Sequence, residues 1–319
     1  MKQRDLKNIS TPASSQPLML TDWLPTSVKE MKLRGWDEVD VVIFSGDAYV
    51  DHPSFGAAVI GRTLVEQGGY RVAIVPQPNW QDDLRDFRKF GRPRLFFGVS
   101  AGAMDSMVNH YTAARRRRSD DAYTPDGRHG MRPDYPTVVY SDILRKLYPD
   151  VPIIAGGIEA SLRRNSHYDY WQDKLRPSIM ADAPVDMVIY GMGEKPVLEI
   201  ARRLDAGEVI ASITDVPQTV VWRPAAEVPA PGACNIVLHS FEECRRDKKL
   251  QSENFRHIEQ QSNRFEGATL WQVHGRRAVK VNPMYPPMTT EEIDRSFDMA
   301  YTRMPHPRYK GKRIPAYEM

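Results

Sequence analysis

A doubly wound α/β fold with a mostly parallel sheet is what this sequence predicts, on three observations. Short runs that are almost wholly apolar recur along the first two thirds of the chain. Amphipathic stretches alternate with them, and small or polar residues gather where each run passes into the next helix. Such runs suit strands buried on both faces of a parallel sheet, and the alternation places helices over both faces.

Taken in order, residues 1–38 have few long apolar runs, include the stretch STPASSQPLML, and read as an arm leading into the fold. Strands are expected at VDVVIF (39–44), YRVAIV (70–75), RLFFGV (94–99), TVVY (137–140), PIIAGG (152–157) and DMVIYG (186–191). Helices are expected at 54–67, 81–90, 103–113, 142–147 and 194–205. In the first, Phe55, Val59, Ile60, Thr63 and Leu64 recur at helical spacing before Gly68 and Gly69 stop the run. In the last, Val197, Leu198, Ile200, Ala201 and Leu204 form the buried stripe. RPAAEVPAPGA (223–233) has the composition of a linker. Beyond it NIVLHS (235–240) reads as a strand, 241–265 as one long charged helix, and ATLWQV with RAVKVN as a hairpin about His274-Gly275. From Asn282 onward, prolines at 283, 286, 287, 305, 307 and 315 describe extended chain with one short helix, TTEEIDRSF, opened by a Thr cap. The predicted organisation is an arm (1–38), an α/β domain (39–222), a linker (223–234), a smaller mixed α+β extension (235–282) and an extended, proline-rich C-terminal tail (283–319) that serves as a connector.

Lys and Arg number 44 against 41 Asp and Glu, a net +3 that exerts no global pull toward nucleic acid or membrane. The opening MKQRDLKNIS is too polar for a secretory signal, and no stretch approaches the ~20 apolar residues of a membrane span. A soluble, cytoplasmic protein without a membrane partner is expected. Cys234 and Cys244 are the whole thiol inventory, too few for a disulfide framework or for the thiolate set of an iron–sulfur cluster.

Four constellations stand at strand ends, where an open α/β sheet places its ligands. FSGDAYVDHPSFGAAVIGRTL (44–64) offers Asp47, Tyr49, Asp51, His52 and Ser54. Asp51 or Ser54 equally suits a helix cap, Pro53 a first turn, and His52 a packed imidazole. FFGVSAGAMDSMVNHYTAARRRRSDDAYTPDG (96–127) has Ser100 and Gly102 where a ligand can come close, then Asp105 and Asn109 on the next helix. Its run Arg115–Arg118 is either a solvated helix end or an anion or RNA contact. IIAGGIEASLRRNSHYDYWQDKLRPS (153–178) has Gly156 and Gly157 after a buried strand and Glu159 at a helix start. Arg163, Arg164, His167, Tyr168, Tyr170 and Trp171 follow, a mixture that stacks a base or planar cofactor, forms a polar network, or docks another domain. In YGMGEKPVLEIA (190–201), Pro196 replaces the third glycine of a dinucleotide fingerprint, and Glu194, a further crevice candidate, repels phosphate. No nucleophile elbow, Walker loop, His-Glu-x-x-His or paired Cys-x-x-Cys is present, so neither a metal ligand set nor a self-contained catalytic set is expected.

GDAYVDHPSFG, SAGAMDSMVNHYTA, DDAYTPDG, GGIEASLRR followed by HYDYW, and RMPHPRYKGKRIPAYEM together resemble the amino-terminal region of YgiQ-type radical SAM proteins. The resemblance implies a Rossmann-like domain similar to the cobalamin-binding domains of other radical SAM enzymes. In that family a barrel follows, whose Cys-x3-Cys-x2-Cys loop holds a [4Fe–4S] cluster that binds and cleaves S-adenosylmethionine. Because the chain stops before those cysteines, the resemblance implies the first half of a split gene, a truncated frame or an excised domain. The expectation is an accessory domain that binds no cofactor alone. It is inactive without a radical SAM core domain or a separately encoded second half, and it acts on an unknown substrate. Cobalamin is a candidate through the family alone: Asp51 and His52 are adjacent, unlike the Asp-x-His-x-x-Gly pattern by which some cobalamin proteins ligate cobalt. Two other classes stay open, a stand-alone corrinoid- or RNA-binding module and a transferase using Asp47, Asp51, His52 and Glu159 on an anionic substrate.

Overall fold

Successive side chains of a strand point to opposite faces, so a run such as Val41-Val42-Ile43-Phe44 is hidden only if both faces are covered. In the computed structural model, which describes residues 17–264 and 266–319, this run forms β1 (Val41–Ser45). Val41 and Ile43 pack in one layer with Ala58, Val197 and Ile200, and Val42 and Phe44 in the other with Phe87, Tyr140 and Leu144. Residues 1–16 of the expected arm lie outside the described residues.

The remaining strands are β2 (Val72–Pro76), β3 (Phe96–Ser100), β4 (Ile153–Gly156), β5 (His167–Asp169), β6 (Lys174–Arg176), β7 (Met187–Ile189), β8 (Thr219–Pro224), β9 (Asn235–Leu238), β10 (Thr269–His274) and β11 (Arg277–Val281). Eight of them join β1 in one nine-stranded sheet in the order β2-β1-β3-β4-β7-β8-β11-β10-β9, while β5 and β6 pair as a separate hairpin. The first five strands of that order are mutually parallel. The chain goes from β1 to β2 on one side and then crosses to β3 on the other side of β1, so the winding reverses between β1 and β3. An open α/β sheet forms its crevice at such a reversal.

Several local expectations change. TVVY (137–140) is not a strand but the start of the helix Pro136–Leu147, since proline suits the first turn and Thr137, Tyr140, Ser141 and Leu144 form a buried stripe of helical period. The helices expected at 81–90 and 103–113 shorten to Arg85–Arg88 and Ser106–His110. Arg115–Arg118 therefore do not end a helix; they lie in an exposed turn in which Thr112 N–H donates to Arg116 O at 2.8 Å. The helix expected at 241–265 is broken at Asp247, whose carboxylate caps a new start at Lys248. The segment 235–282 continues the main sheet, because β11 pairs with β8 along its whole length through Pro224.

The tail folds back on the body. Val50 bridges Pro305, His306 N–H donates to Tyr49 O at 3.1 Å, and Arg303 N–H donates to Asp51 O at 2.9 Å. Tyr309 and Ile314 are buried in the same layer as Trp23 and Leu24. His306 Nε2 stands 3.2 Å from Glu30 Oε2, joining the tail to the helix Val28–Leu33. Burial raises the Glu30 carboxyl, but hydrogen bonds from His306, Thr26 and Ser27 prevail and hold it down at about 2. A carboxylate depressed by folding stabilises above its ordinary titration and loses that effect as pH falls toward the folded value. Glu30→Gln is accordingly expected to destabilise by about 1–2 kcal/mol at pH 7. The gap from the parent chain should close in urea melts below about pH 4; an offset that stays constant down to pH 3 refutes the charge argument.

Candidate functional site

The carboxyl ends of β1, β3, β4 and β7 open into a cavity of about 380 Å³, at the lower end of the range for small-molecule sites. Helix Gly56–Arg62 and the loop after β7 supply most of its wall, with Phe55, Val59, Ile60, Ile158, Met192 and Val197 as apolar lining. Its polar end is made by Ser45, Asp47, Ser100 and the backbone of Gly102, Gly156 and Gly157. Gly102 sits at φ +115°, and a Cβ there would lie 2.1 Å from Asp47 Oδ1, so only glycine lets the loops after β1 and β3 touch.

Asp47 is buried beneath this end. Its Oδ2 accepts from Ala103 N–H at 2.6 Å, and Arg132 Nη1 lies 2.7 Å from its Oδ1. That guanidinium NH group directs its hydrogen bond to Ala101 O at 2.8 Å, so the contact with Oδ1 is an ion pair without a well-aimed hydrogen bond. The rest of Arg132 is held by Asp121, with Nε and Nη2 donating to its carboxylate at 2.8–3.0 Å. One buried cation thus faces two carboxylates. Burial, only partly offset by Arg132, pushes Asp47 up to about 6.

Of the residues expected to line the crevice, Asp47, Tyr49, Ser100, Gly102, Gly156, Gly157 and Glu194 do so. Asp51, His52, Asp105 and Glu159 do not. Asp51 is turned away, accepting from Tyr49 OH and Arg62 Nε at 3.0 Å and from Thr302 N–H at 2.8 Å. His52 Nδ1 accepts from Ser54 N–H, closing a local turn. Asp105 caps the helix Ser106–His110 and pairs with Arg163. Glu159, 1% exposed, joins three segments by accepting from Ser106 Oγ at 2.5 Å, Ser106 N–H at 3.2 Å and Thr137 N–H at 3.1 Å. Asp47, Asp51, His52 and Glu159, the set expected of a transferase, therefore do not meet in one centre: Asp47 lies beneath the crevice and the other three serve separate structural joints. The apolar wall went unread because its side chains follow the same helical pattern as core residues. Arg132 gave no signal at all, being a lone cation in a loop.

The six docking or stacking candidates also separate. Arg163 lies 5.3 Å over the Tyr135 ring, beside Asp105. Tyr170 stacks with Arg115 at 4.6 Å and donates to Ala113 O, while Trp171 packs on Tyr111, so this pair fastens the 111–117 turn to the β5–β6 hairpin. Arg164, His167 and Tyr168 face a second groove. Burial pushes His167 down to about 4, leaving it neutral near pH 7.

The cofactors suggested by the family resemblance can be tested against these residues. Cys234 is exposed before β9, whereas Cys244 is buried on a helix, accepts from Asn254 Nδ2 at 3.1 Å and is pushed up to about 11 by burial. Two cysteines so placed, one held as a thiol, do not fit an iron–sulfur cluster. Among the described residues no histidine lines the crevice, and His52 Nδ1 is engaged locally, so these residues do not fit a histidine-ligated corrinoid. Among the described residues no group of three or more His, Cys, Asp or Glu is placed to hold a metal ion, and no helix is long and apolar enough to cross a membrane.

A crevice at the winding reversal of a parallel sheet defines a ligand-receiving α/β domain, and residues 23–319 match the model of the radical SAM N-terminal family. The chain belongs to that family. It is similar to the UPF0313 protein of Bacteroides thetaiotaomicron, 62% identical over 311 residues covering 94% of this chain and 50% of that one. The UPF0313 protein of Porphyromonas gingivalis is 65% identical over 300 residues, covering 94% and 47%. UPF0313 protein RPA0679 of Rhodopseudomonas palustris is 46% identical over 323 residues, covering 96% and 47%. The chain spans about half the length of the curated relatives it matches. Among solved structures, the radical S-adenosylmethionine methyltransferase TsrM from Kitasatospora setae, with cobalamin and a [4Fe–4S] cluster bound, aligns at a TM-score of 0.35 and 18% identity, over 57% of this chain and 26% of that one. A likeness of that size carries no argument about this chain.

Proposed function

We propose that this chain is the accessory, substrate-receiving part of a radical SAM protein, without catalysis of its own. In this reading the crevice takes a small, largely apolar substrate group. A radical SAM core, in the part that the longer relatives carry, supplies the [4Fe–4S] cluster and S-adenosylmethionine chemistry. The observation that carries the reading is the crevice wall: apolar side chains around a buried polar end, with no nucleophile–base pair and no thiolate among the described residues that line it. Such a site can bind and orient, and it excludes water from whatever enters.

The test has two arms. The purified chain, incubated anaerobically with iron, sulfide, dithionite and S-adenosylmethionine, should show no cluster absorption and release no 5′-deoxyadenosine; release above the no-protein control overturns the accessory reading. In a protein carrying both parts, Ile60→Trp, which fills the crevice, should abolish substrate conversion while S-adenosylmethionine cleavage continues uncoupled. Conversion at the parent rate removes the crevice as the receiving site. Retention of hydroxocobalamin by the chain through desalting would favour the corrinoid module instead.

A further inference from the structure

A second concavity lies between the β5–β6 hairpin and the helices Phe241–Arg246 and Lys248–Ser262, with a volume of about 1400 Å³. Three features of its wall point to one kind of occupant. The first is charge. Arg164, Lys174, Arg245 and Lys248 line it, and among the described residues none of the four has a carboxylate within ion-pair distance. The acids that share the wall are mostly engaged: Asp182 pairs with Arg176 at 2.7 Å and Asp173 accepts from Tyr168 OH, leaving Glu259.

The second feature is an unused amide. Asn165 is 4% exposed and lines the groove, yet among the described residues neither its Oδ1 nor its Nδ2 has a hydrogen-bond partner. A buried amide is normally satisfied, so this one awaits a ligand with an acceptor and a donor side by side. Next to it Arg164 Nε is also without a partner, its guanidinium lying 4.9 Å over the Tyr190 ring. The third feature is exposed rings. Tyr168 and Phe255 are 56% and 60% exposed on opposite walls. At the hairpin tip Arg115 stacks on Tyr170, bringing the exposed run Arg115–Arg118 up to the same hairpin.

We infer that this groove binds a single strand of nucleic acid. Unpaired cations along a groove follow a phosphate backbone, free aromatic faces stack bases, and an asparagine whose donor and acceptor are both unpartnered at the wall matches a base edge. A run of acidic side chains would satisfy the cations but has no group to stack on two exposed rings. The inference stands apart from the reading of the crevice, whose residues it does not use.

Fluorescence anisotropy with the whole chain and labelled oligo(A) strands of about 12 nucleotides, RNA and DNA in separate arms, tests it between about 50 and 200 mM salt. Saturable binding to either strand is expected, and the preferred arm identifies the sugar. Lys174→Glu with Arg245→Glu and Lys248→Glu should weaken it at least tenfold and flatten the salt dependence. Tyr168→Ala with Phe255→Ala should weaken it about fivefold or more with the salt slope retained. All five side chains named are exposed, so unchanged circular dichroism is expected of both variants. Ile60→Trp, remote in the crevice, should bind as the parent does. Absence of binding overturns the inference, as does binding indifferent to both groove variants. Displacement by polyaspartate as effective as by unlabelled oligo(A) also overturns it and marks the groove as a site for acidic protein.

Discussion

Arg132→Leu is expected to destabilise the fold by about 3–5 kcal/mol, the range for breaking a buried ion pair from one side. Arg132 is a fully buried side chain, bonded to both oxygens of Asp121 and lying against Asp47. Leucine fills much of the space but leaves two carboxylates in the interior without a cation. The pH dependence gives the sign. Burial already raises Asp47 from an ordinary 3.8 to about 6, so protonation favours the folded state, and this contribution fades as pH rises through 6. Without Arg132 the Asp47 carboxyl loses the cation that holds it down and titrates higher still, so the deficit of the variant should be smaller at pH 5.5 than at pH 8 in guanidinium melts. Adding Asp121→Asn to Arg132→Leu should restore part of the loss, since the two changes act on one contact. A deficit that is the same at both pH values, or strictly additive with Asp121→Asn, defeats the electrostatic account.

Asp51→Ala is expected to have an effect of the same order, about 3–5 kcal/mol, for a related reason. The carboxylate is 0% exposed, and it accepts from Arg62, Tyr49 OH and the Thr302 N–H. Alanine leaves the Arg62 guanidinium buried with the Asp22 carbonyl and a distant Glu66, 3.9 Å away, as partners. It also cuts the link through which the body holds the tail. Trypsin cleavage at Arg303 and Arg308, both exposed but anchored through neighbouring backbone bonds, should accelerate several-fold in the variant before global unfolding. Lost stability with unchanged cleavage at these two sites would show that Asp51 serves Arg62 alone.

The parts of the fold legible in the sequence are those in which local pattern and burial agree. β1 and β2 are buried on both faces, so their apolar runs are continuous and short. Helix Glu194–Asp205 carries an unbroken stripe of Val197, Leu198, Ile200 and Ala201 and appears at the expected bounds. TVVY failed because four residues do not distinguish a buried strand from a buried helical turn; the proline before it and the spacing of Ser141 and Leu144 after it do. The long helix after Phe241 failed at Asp247, where a polar residue that suits a helix surface proved to be a cap.

By itself, the sequence determined the class of fold, the run of strands that bears the crevice, and the membership of the radical SAM N-terminal family. These rest on periodicity and on long contiguous motifs, which survive without knowledge of what each side chain meets. Tertiary structure alone decided which polar residues reach the crevice. Asp47 and Asp51 leave the same loop four residues apart, yet one lies beneath the cavity against Arg132 and the other secures a tail 251 positions away at Thr302. A carboxylate takes its direction from the buried cation that pairs with it, and Arg132 and Arg62 are brought to these two acids only by the packing of the whole chain.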